Sequence, residues 1–502
     1  MIDGAETASD YPVGRPLSAA SPSLRLEEWT AHAPELSDVD DELHETWSRT
    51  QRDLGSLRIF DPSHPECPAV AAGAPWFMAL FGRDSLLTAY MALPVDQDLA
   101  LGTLHTLGRY QGSRLNARTE EQPGRILHEM RFGVEAALAL GGGDTVYYGT
   151  ADATPLFVLL LGEVWRWGIP DSELEQLLPH ADRALDWVTT CGDADGDGLV
   201  EYERLTDRGL RNQGWKDSWD GINFADGRIA EPPIALCEVQ AYVYAALVDR
   251  AAIARHRGDL ELADTLTRRA GDLKATFNER FWLPDKGWFA VGLDRDKTPV
   301  DALTSNIGHC LWTGIVDEDK APRVAEALVS EEMFSGWGVR TLSTAMAAYN
   351  PLSYHNGSVW PHDNAIVAAG LMRYGFVSEA QMVAQAILDA AECFDGRLPE
   401  LFTGIERGQF PRPVPYPTSC SPQAWAAAAP LLLLRTLLRF DPDLPRGEVR
   451  VAPVLPRTLP RLRISRLPLA GARLTVAADG HRVSIHGLPA GIRVVGPTDA
   501  TR

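Results

Sequence analysis

Thr154-Pro-Leu-Phe-Val-Leu-Leu-Leu-Gly-Glu-Val-Trp-Arg-Trp167, followed after Gly168-Ile-Pro170 by a second segment over 172–188, sets the pattern of this chain. Both segments repeat apolar residues at helical spacing, and the break between them carries a glycine and a proline. The same rhythm extends outward in both directions. Helices are expected over 85–92 and 98–111 before this pair. After it they are expected over 233–256, 260–277, 321–330, 363–374, 379–393 and 422–439. The loops between them are rich in Gly, Trp, His, Asn and Asp. Strand-like alternation is nearly absent from Val39 to Arg439, which argues against a parallel βαβ sheet and a β/α barrel. Antiparallel helix pairs joined alternately by short and elaborate loops can close into a ring, with the elaborate loops on one face. The expected fold over 39–441 is therefore all-α.

The flanks differ from this middle. Residues 1–38 are rich in Ser, Pro, Ala and acidic groups without period, and read as a loosely held arm. Beyond Pro442, the stretches 448–452, 461–465, 472–477 and 481–486 alternate apolar and polar residues, with Asp479-Gly480 as a hairpin signal. A small β-rich appendage over 442–502 is expected.

Composition bounds the partners. The net charge of −21, from 47 Lys and Arg against 68 Asp and Glu, repels phosphate backbones and anionic lipid, so a neutral substrate is expected rather than nucleic acid or membrane. The cysteines Cys67, Cys191, Cys237, Cys310, Cys393 and Cys420 are dispersed without any C-x-x-C pair, and read as reduced thiols. The N-terminus has no basic and apolar leader pattern, and the longest apolar run, Ala424 to Leu434, is too short for a membrane span. A cytoplasmic location is expected.

Several loops concentrate polar groups and aromatics: Phe81-Gly-Arg-Asp-Ser85, the His128–Gly133 stretch HEMRFG, the Tyr147–Thr154 stretch containing Asp152, and Asn212-Gln-Gly-Trp-Lys-Asp-Ser-Trp-Asp-Gly221. Ser305-Asn306, Tyr354-His-Asn-Gly-Ser-Val-Trp-Pro361 and Leu398-Pro-Glu-Leu-Phe402 follow. Planar carboxylate, amide and guanidinium groups can hold vicinal hydroxyls in pairs while aromatic faces pack on sugar rings, so this mixture points to carbohydrate. Trp215-Lys216-Asp217-Ser-Trp219-Asp220 sets a carboxylate between two indoles, whose apolar surroundings raise its pKa as a general acid requires. A helix N-cap is the structural alternative for Asp217 or Asp220, and Asp220 is the reserve acid. Glu400 lies among apolar neighbours and can serve as the base that activates water, or can form a structural salt bridge with Arg397. Arg83-Asp84 reads as a helix-start ion pair or as a clamp on sugar hydroxyls. His355 and Asn356 offer donors beside Trp360. Asp193-Ala-Asp195-Gly-Asp197-Gly198 resembles the first half of a calcium loop, but Arg204 stands where the bidentate Glu belongs, so an Asx-turn without metal is expected. No nucleotide, zinc-protease or serine-hydrolase motif is present.

In order along the chain, Pro75-Trp-Phe-Met-Ala-Leu-Phe-Gly-Arg-Asp84, Gln213-Gly-Trp-Lys-Asp217, Tyr354–Pro361 and Leu398–Phe402 resemble bacterial amylo-α-1,6-glucosidase-like proteins, related to the glucosidase half of glycogen debranching enzyme. More distantly the chain resembles trehalases, glucoamylases and hydrolases of mannosylglycerate and glucosylglycerate. The resemblance implies an (α/α)6 toroid and hydrolysis of a terminal α-linked glucose with inversion. It implies Asp217 as acid and Glu400 as base. Arg83 and Asp84 would bind the terminal sugar, with Phe81, His128, Asp152, Trp215, Lys216, Trp219, Asp220, Asn306, His355, Asn356 and Trp360 around it. Inversion implies carboxyl groups about 6.5–9.5 Å apart. The substrate would be an α-1,6 branch stub, a short α-gluco-oligosaccharide, or a small α-glycoside; loss of catalysis would leave a carbohydrate-binding protein. No transferase half is present, and a short arm stands where many relatives carry a large N-terminal β domain.

Overall fold

The computed structural model describes residues 20–61, 64–131, 145–480 and 482–496. The glycine cluster 141–143, Phe132-Gly133, His481 and the first half of the N-terminal arm lie outside them. The helices, in chain order, are Ser21–His32 (α1), Asp41–Leu57 (α2), Gly82–Ala92 (α3), Asp98–Arg109 (α4), Ala153–Arg166 (α5), Asp171–Thr189 (α6), Cys237–His256 (α7), Leu260–Arg280 (α8), Asn306–Thr313 (α9), Ala321–Leu328 (α10), Pro361–Arg373 (α11), Val377–Cys393 (α12) and Ala424–Leu438 (α13).

From α3 to α13 each odd-numbered helix packs on the next odd one, and α13 returns to α3, closing a ring. The even-numbered helices lie outside it: α4 on α3, α6 on α5, α8 on α7, α10 on α9, α12 on α11 and α2 on α13. Sequence texture decides which layer a helix joins. Every residue of α13 is buried, and in α5 only Arg166 escapes, as their all-round Ala, Leu and Val composition requires. Helix α8 instead buries Ala263, Leu266, Ala270, Leu273 and Phe277, one stripe at intervals of three, four, three and four.

The all-α expectation is corrected. Among the described residues helix takes 41% and strand 18%, in several sheets, so the architecture is mixed. The strands escape a periodicity reading for local reasons. The largest sheet is antiparallel and runs Arg58–Asp61, His64–Gly73, Phe77–Phe81, Glu129–Met130, Val146–Tyr147. Its longest member, HPECPAVAAG, holds two prolines and small residues rather than alternating β-branched ones, and its last two strands span only two residues each. This sheet delivers the chain into α3. The approach is close: a side-chain carbon on Gly82 would lie 2.1 Å from the Leu127 carbonyl oxygen, so only glycine fits between the two segments.

Helices α2 and α9 also differ from the sequence reading. The apolar stripe of α2 (Leu43, Trp47, Leu54, Leu57) is diluted by outward charges, and α9 has only eight residues. The described part of the arm is helical over α1 and extended over Glu35–Ser37, which pairs with Arg461–Leu469 of the C-terminal sheet. That sheet continues through Ala472–Asp479 to Arg482–His486. Among the described residues no helix is long and apolar enough to cross a membrane, and the six cysteines are free thiols.

Candidate active site

The sheet-to-helix junction places Arg83 at the start of α3, buried at the end of the ring. Its guanidinium lies 3.2 Å from Asp152 Oδ2 and 3.2 Å from Asp217 Oδ2, and it also donates to the Gly214 carbonyl. Arg83 does not pair with its neighbour Asp84; it ties the loop before α5 to the 212–221 loop. Asp152 is completed by the Thr150 hydroxyl at 2.6 Å. These charges hold Arg83 protonated against its burial.

Asp217 is aimed by its loop. Asn212 Nδ2 donates to the Ser218 carbonyl at 2.7 Å and Gln213 reaches Glu120 at 2.7 Å, which fixes the backbone on both sides of the Trp-Lys-Asp run. Trp215 and Lys216 point inward and are buried. The Trp215 indole lies parallel to His309 and meets His355, Trp360 and His362 edge-on. Lys216 Nζ donates to the Thr341 carbonyl at 2.5 Å, and burial lowers it to about 8. Asp217 opens outward, with 30% of its side chain accessible. The protein around it pushes its carboxyl up to about 6, against the pull of Arg83.

Glu400 is buried on the facing loop. Its Oε1 accepts from the Tyr354 hydroxyl, and its Oε2 from the Cys420 amide at 3.0 Å. Both donors favour the ionised form, yet burial outweighs them, and with Asp217 nearby the carboxyl rises to about 7. The alternative of a salt bridge to Arg397 does not occur: Arg397 pairs with Asp53 of α2 at 2.6 Å. Asp84 is also buried and raised to about 7 by burial, with Gln423 Nε2 at 3.4 Å and the charges of Asp217 and Glu400 acting on it. Asp217 and Glu400 thus both act on Asp84, while Arg83 pulls on Asp217 and Asp84.

Consecutive residues link the two sides. Tyr354 holds Glu400. His355 Nδ1 accepts from the Ser218 hydroxyl at 2.8 Å beside Asp217, and burial keeps this imidazole neutral by lowering its pKa well below the usual value. Asn356 Nδ2 donates to the Asp220 carbonyl at 3.0 Å.

The family model for the mannosylglycerate hydrolase MGH1-like glycoside hydrolase domain matches residues 81–403, from the strand end before Arg83 to just past Glu400. The chain belongs to this family. Glycoside hydrolysis is shown at that level; the match gives no support to debranching or α-1,6 specificity. No curated protein matches the sequence. Among the solved structures that share the fold are the following two. One is a sialidase, at 12% identity and TM-score 0.66, over 93% of this chain and 41% of that one. The other is a GH78 rhamnosidase of Bacillus sp. GL1, at 15% identity and TM-score 0.65, over 93% of this chain and 43% of that one. The chain therefore spans less than half the length of either.

Within this MGH1-like domain the remaining predicted residues take varied places. Phe81 and His128 are buried and meet edge-on at 5.5 Å, and desolvation holds His128 neutral. Trp360 is buried, with its indole N–H donating to the Tyr354 carbonyl at 3.0 Å. Asn306 begins α9 and is buried against Glu238. Asp220 contributes its backbone carbonyl to Asn223 and Asn356. Trp219 does not flank Asp217 within an apolar sandwich; it is exposed. Sequence reasoning did not assign roles to Tyr354, Cys420 or Gln423. For Tyr354 the signal was its place beside His355; for Cys420 the contribution is a backbone amide, which carries no side-chain signature.

The acidic loop lies apart from this site. Asp193, Asp195 and Asp197 cluster closely enough to hold a cation. Lys297 Nζ reaches Asp195 at 2.8 Å, Asp197 at 3.0 Å and Glu201, and Arg280 adds a bond to Asp197 at 2.8 Å.

Proposed function

We propose that the protein is an inverting hydrolase of a small α-linked glycoside, with Asp217 as general acid and Glu400 as general base. The observation that carries this is the arrangement of two raised carboxyls: Arg83 holds Asp217, Tyr354 and the Cys420 amide hold Glu400, and His355, next to Tyr354, bonds Ser218 beside Asp217. Asp217 protonates the leaving-group oxygen while Glu400 takes a proton from the attacking water, so an α-glycoside yields the β-anomer. Arg83 orients Asp217, and Asp84 accepts from a hydroxyl of the terminal sugar. The match to the mannosylglycerate hydrolase MGH1-like domain supports a small glycoside over a branched polymer.

The test is sugar release from isomaltose, panose, a glycogen limit dextrin, trehalose, glucosylglycerate and mannosylglycerate, with the anomer of the product read by NMR. β-Sugar from a small glycoside is expected; α-product would rule out inversion. Activity needs Asp217 protonated and Glu400 ionised; with the acid at about 6 and the base at about 7 this is the minor form of the singly protonated pair, so the profile should be a narrow bell centred near pH 6.5 whose limbs belong to the pair rather than to either residue. A profile still rising above pH 8 would be incompatible with this pair.

The proposed reaction uses no cofactor. In the acidic loop the Lys297 ammonium lies against Asp195, Asp197 and Glu201. Lys297→Met leaves Asp195, Asp197 and Glu201 without that charge, so the variant should melt at a lower temperature by calorimetry, and calcium should raise its Tm more than that of the wild type.

A further inference from the structure

Helices α3 and α11 start at the candidate active site, beside Arg83 and Trp360. Their last turns meet those of α9 and α13 at a second cavity, of about 380 Å³, lined by Tyr90, Trp312, Arg373 and Arg435. Arg439, just after α13, and Arg450 of the strand Glu448–Arg450 line it too. Asp441 is the one carboxylate of this lining among the described residues. Helix α11 has 13 residues, so the two ends of the ring lie roughly 20 Å apart. Four guanidiniums gathered around one carboxylate run against a chain whose net charge is −21.

Two of the four have duties at helix ends, where cations offset the dipole. Arg373 Nη1 donates to the Trp312 carbonyl at 3.4 Å, and Arg435 Nε to the Phe440 carbonyl at 3.1 Å. Arg435 also holds Glu163, yet its Nη1 is buried without a partner. Arg439 and Arg450 have no such duty. Among the described residues neither guanidinium donates a hydrogen bond, and Arg450 Nε is buried without a partner. Asp441 lies between Arg435 and Arg450, at 3.4 Å from one and 3.9 Å from the other, with 61% of its side chain accessible. A carboxylate so exposed offsets little of their charge. Buried donors without an acceptor are costly, and the guanidinium fork matches phosphate oxygens in pairs. The volume falls within the roughly 300–1,000 Å³ of small-molecule sites, which leaves room for more than a bare phosphate.

We propose that this cavity, at the end of the ring away from Asp217 and Glu400, binds a phosphate dianion, free or carried on a sugar-sized molecule. The site stands apart from the proposed chemistry and does not depend on it.

The test is titration calorimetry of the full chain with inorganic phosphate and with glucose 6-phosphate, chloride holding the ionic strength constant. Wild type is compared with Arg439→Asn, Arg450→Gln, Asp441→Asn and Asp217→Asn. Asparagine suits the left-handed backbone at Arg439. Wild type should bind both probes, and the tighter of the two tells a free phosphate from one carried on a sugar. Each arginine variant should lose about tenfold or more in affinity, as the loss of a charge-assisted hydrogen bond implies. Asp441→Asn should bind severalfold more tightly, because it removes the one opposing charge; arginines serving structure alone would show no such gain. Asp217→Asn should bind as wild type does. Melting curves without phosphate show whether each variant is folded, and should one arginine variant fail to fold, the other carries the comparison. The proposal is overturned if wild type binds neither probe, if the folded arginine variants bind as tightly as wild type, or if Asp441→Asn gains nothing. A loss confined to Asp217→Asn overturns it too, since the anion would then sit at the catalytic pair.

Discussion

Asp217→Asn should lower kcat on a glycoside by about 10²–10⁴-fold, the range expected when the proposed acid is lost, and Glu400→Gln should do the same. The two variants then part company on a glycosyl fluoride. Fluoride departs without needing a proton, so Asp217→Asn should recover much of its rate on that substrate, whereas Glu400→Gln still lacks the group that activates water and stays slow. This split separates the roles, which a plain loss of activity does not. The pH profile supplies a second reading: Asp217→Asn should lose the falling limb and Glu400→Gln the rising one. Should Glu400→Gln be the variant rescued by fluoride, the assignments of acid and base would have to be exchanged. Both side chains are swapped for near-isosteres, so circular dichroism and the melting temperature should stay close to wild type.

Arg83→Met should damage stability and catalysis together. The guanidinium is buried at 3.2 Å from both Asp152 and Asp217 and also bonds the Gly214 carbonyl. Removing it leaves buried carboxyls without their counter-charge, a loss of about 3–5 kcal/mol, measurable as a shift in the denaturant midpoint. Arg83 lowers both Asp217 and Asp84, so without it both carboxyls rise further and the falling limb of the pH profile moves to higher pH. Arg83→Lys keeps charge but loses the fork that reaches two partners, and should recover stability in part while restoring little of the orientation. A variant as stable and as active as wild type would show that the bridge seen between the two loops contributes nothing.

Much of the site could be read from the chain, because loops dense in charge and aromatics have no business in a core unless they act together. Arg83, Asp84, Asp152, Asp217 and Glu400 stand out by type and context, and they do converge. Orientation was beyond reach. Trp215 and Trp219 sit four residues apart in one motif, yet one is packed among His309, His355 and Trp360 and the other stands in solvent. A loop has no period to say which way a residue faces. The sheets were hidden for a related reason: two-residue strands and the proline-bearing His64–Gly73 give no alternation to detect. The helices fared better, since long stretches such as α5 and α13 are apolar on every side.

The strand Glu35–Ser37 has a consequence for how the molecule is made. Ser37 pairs with Arg463, and α13 closes the ring against α3 only after nearly the whole catalytic region has been synthesised. Contacts of such long sequence separation form slowly. A nascent chain therefore carries α3 with one flank uncovered until its last helix emerges from the ribosome. Over that interval the apolar faces of the growing ring are open to chaperones and to other unfinished copies, and α13 acts as the latch that ends the exposure.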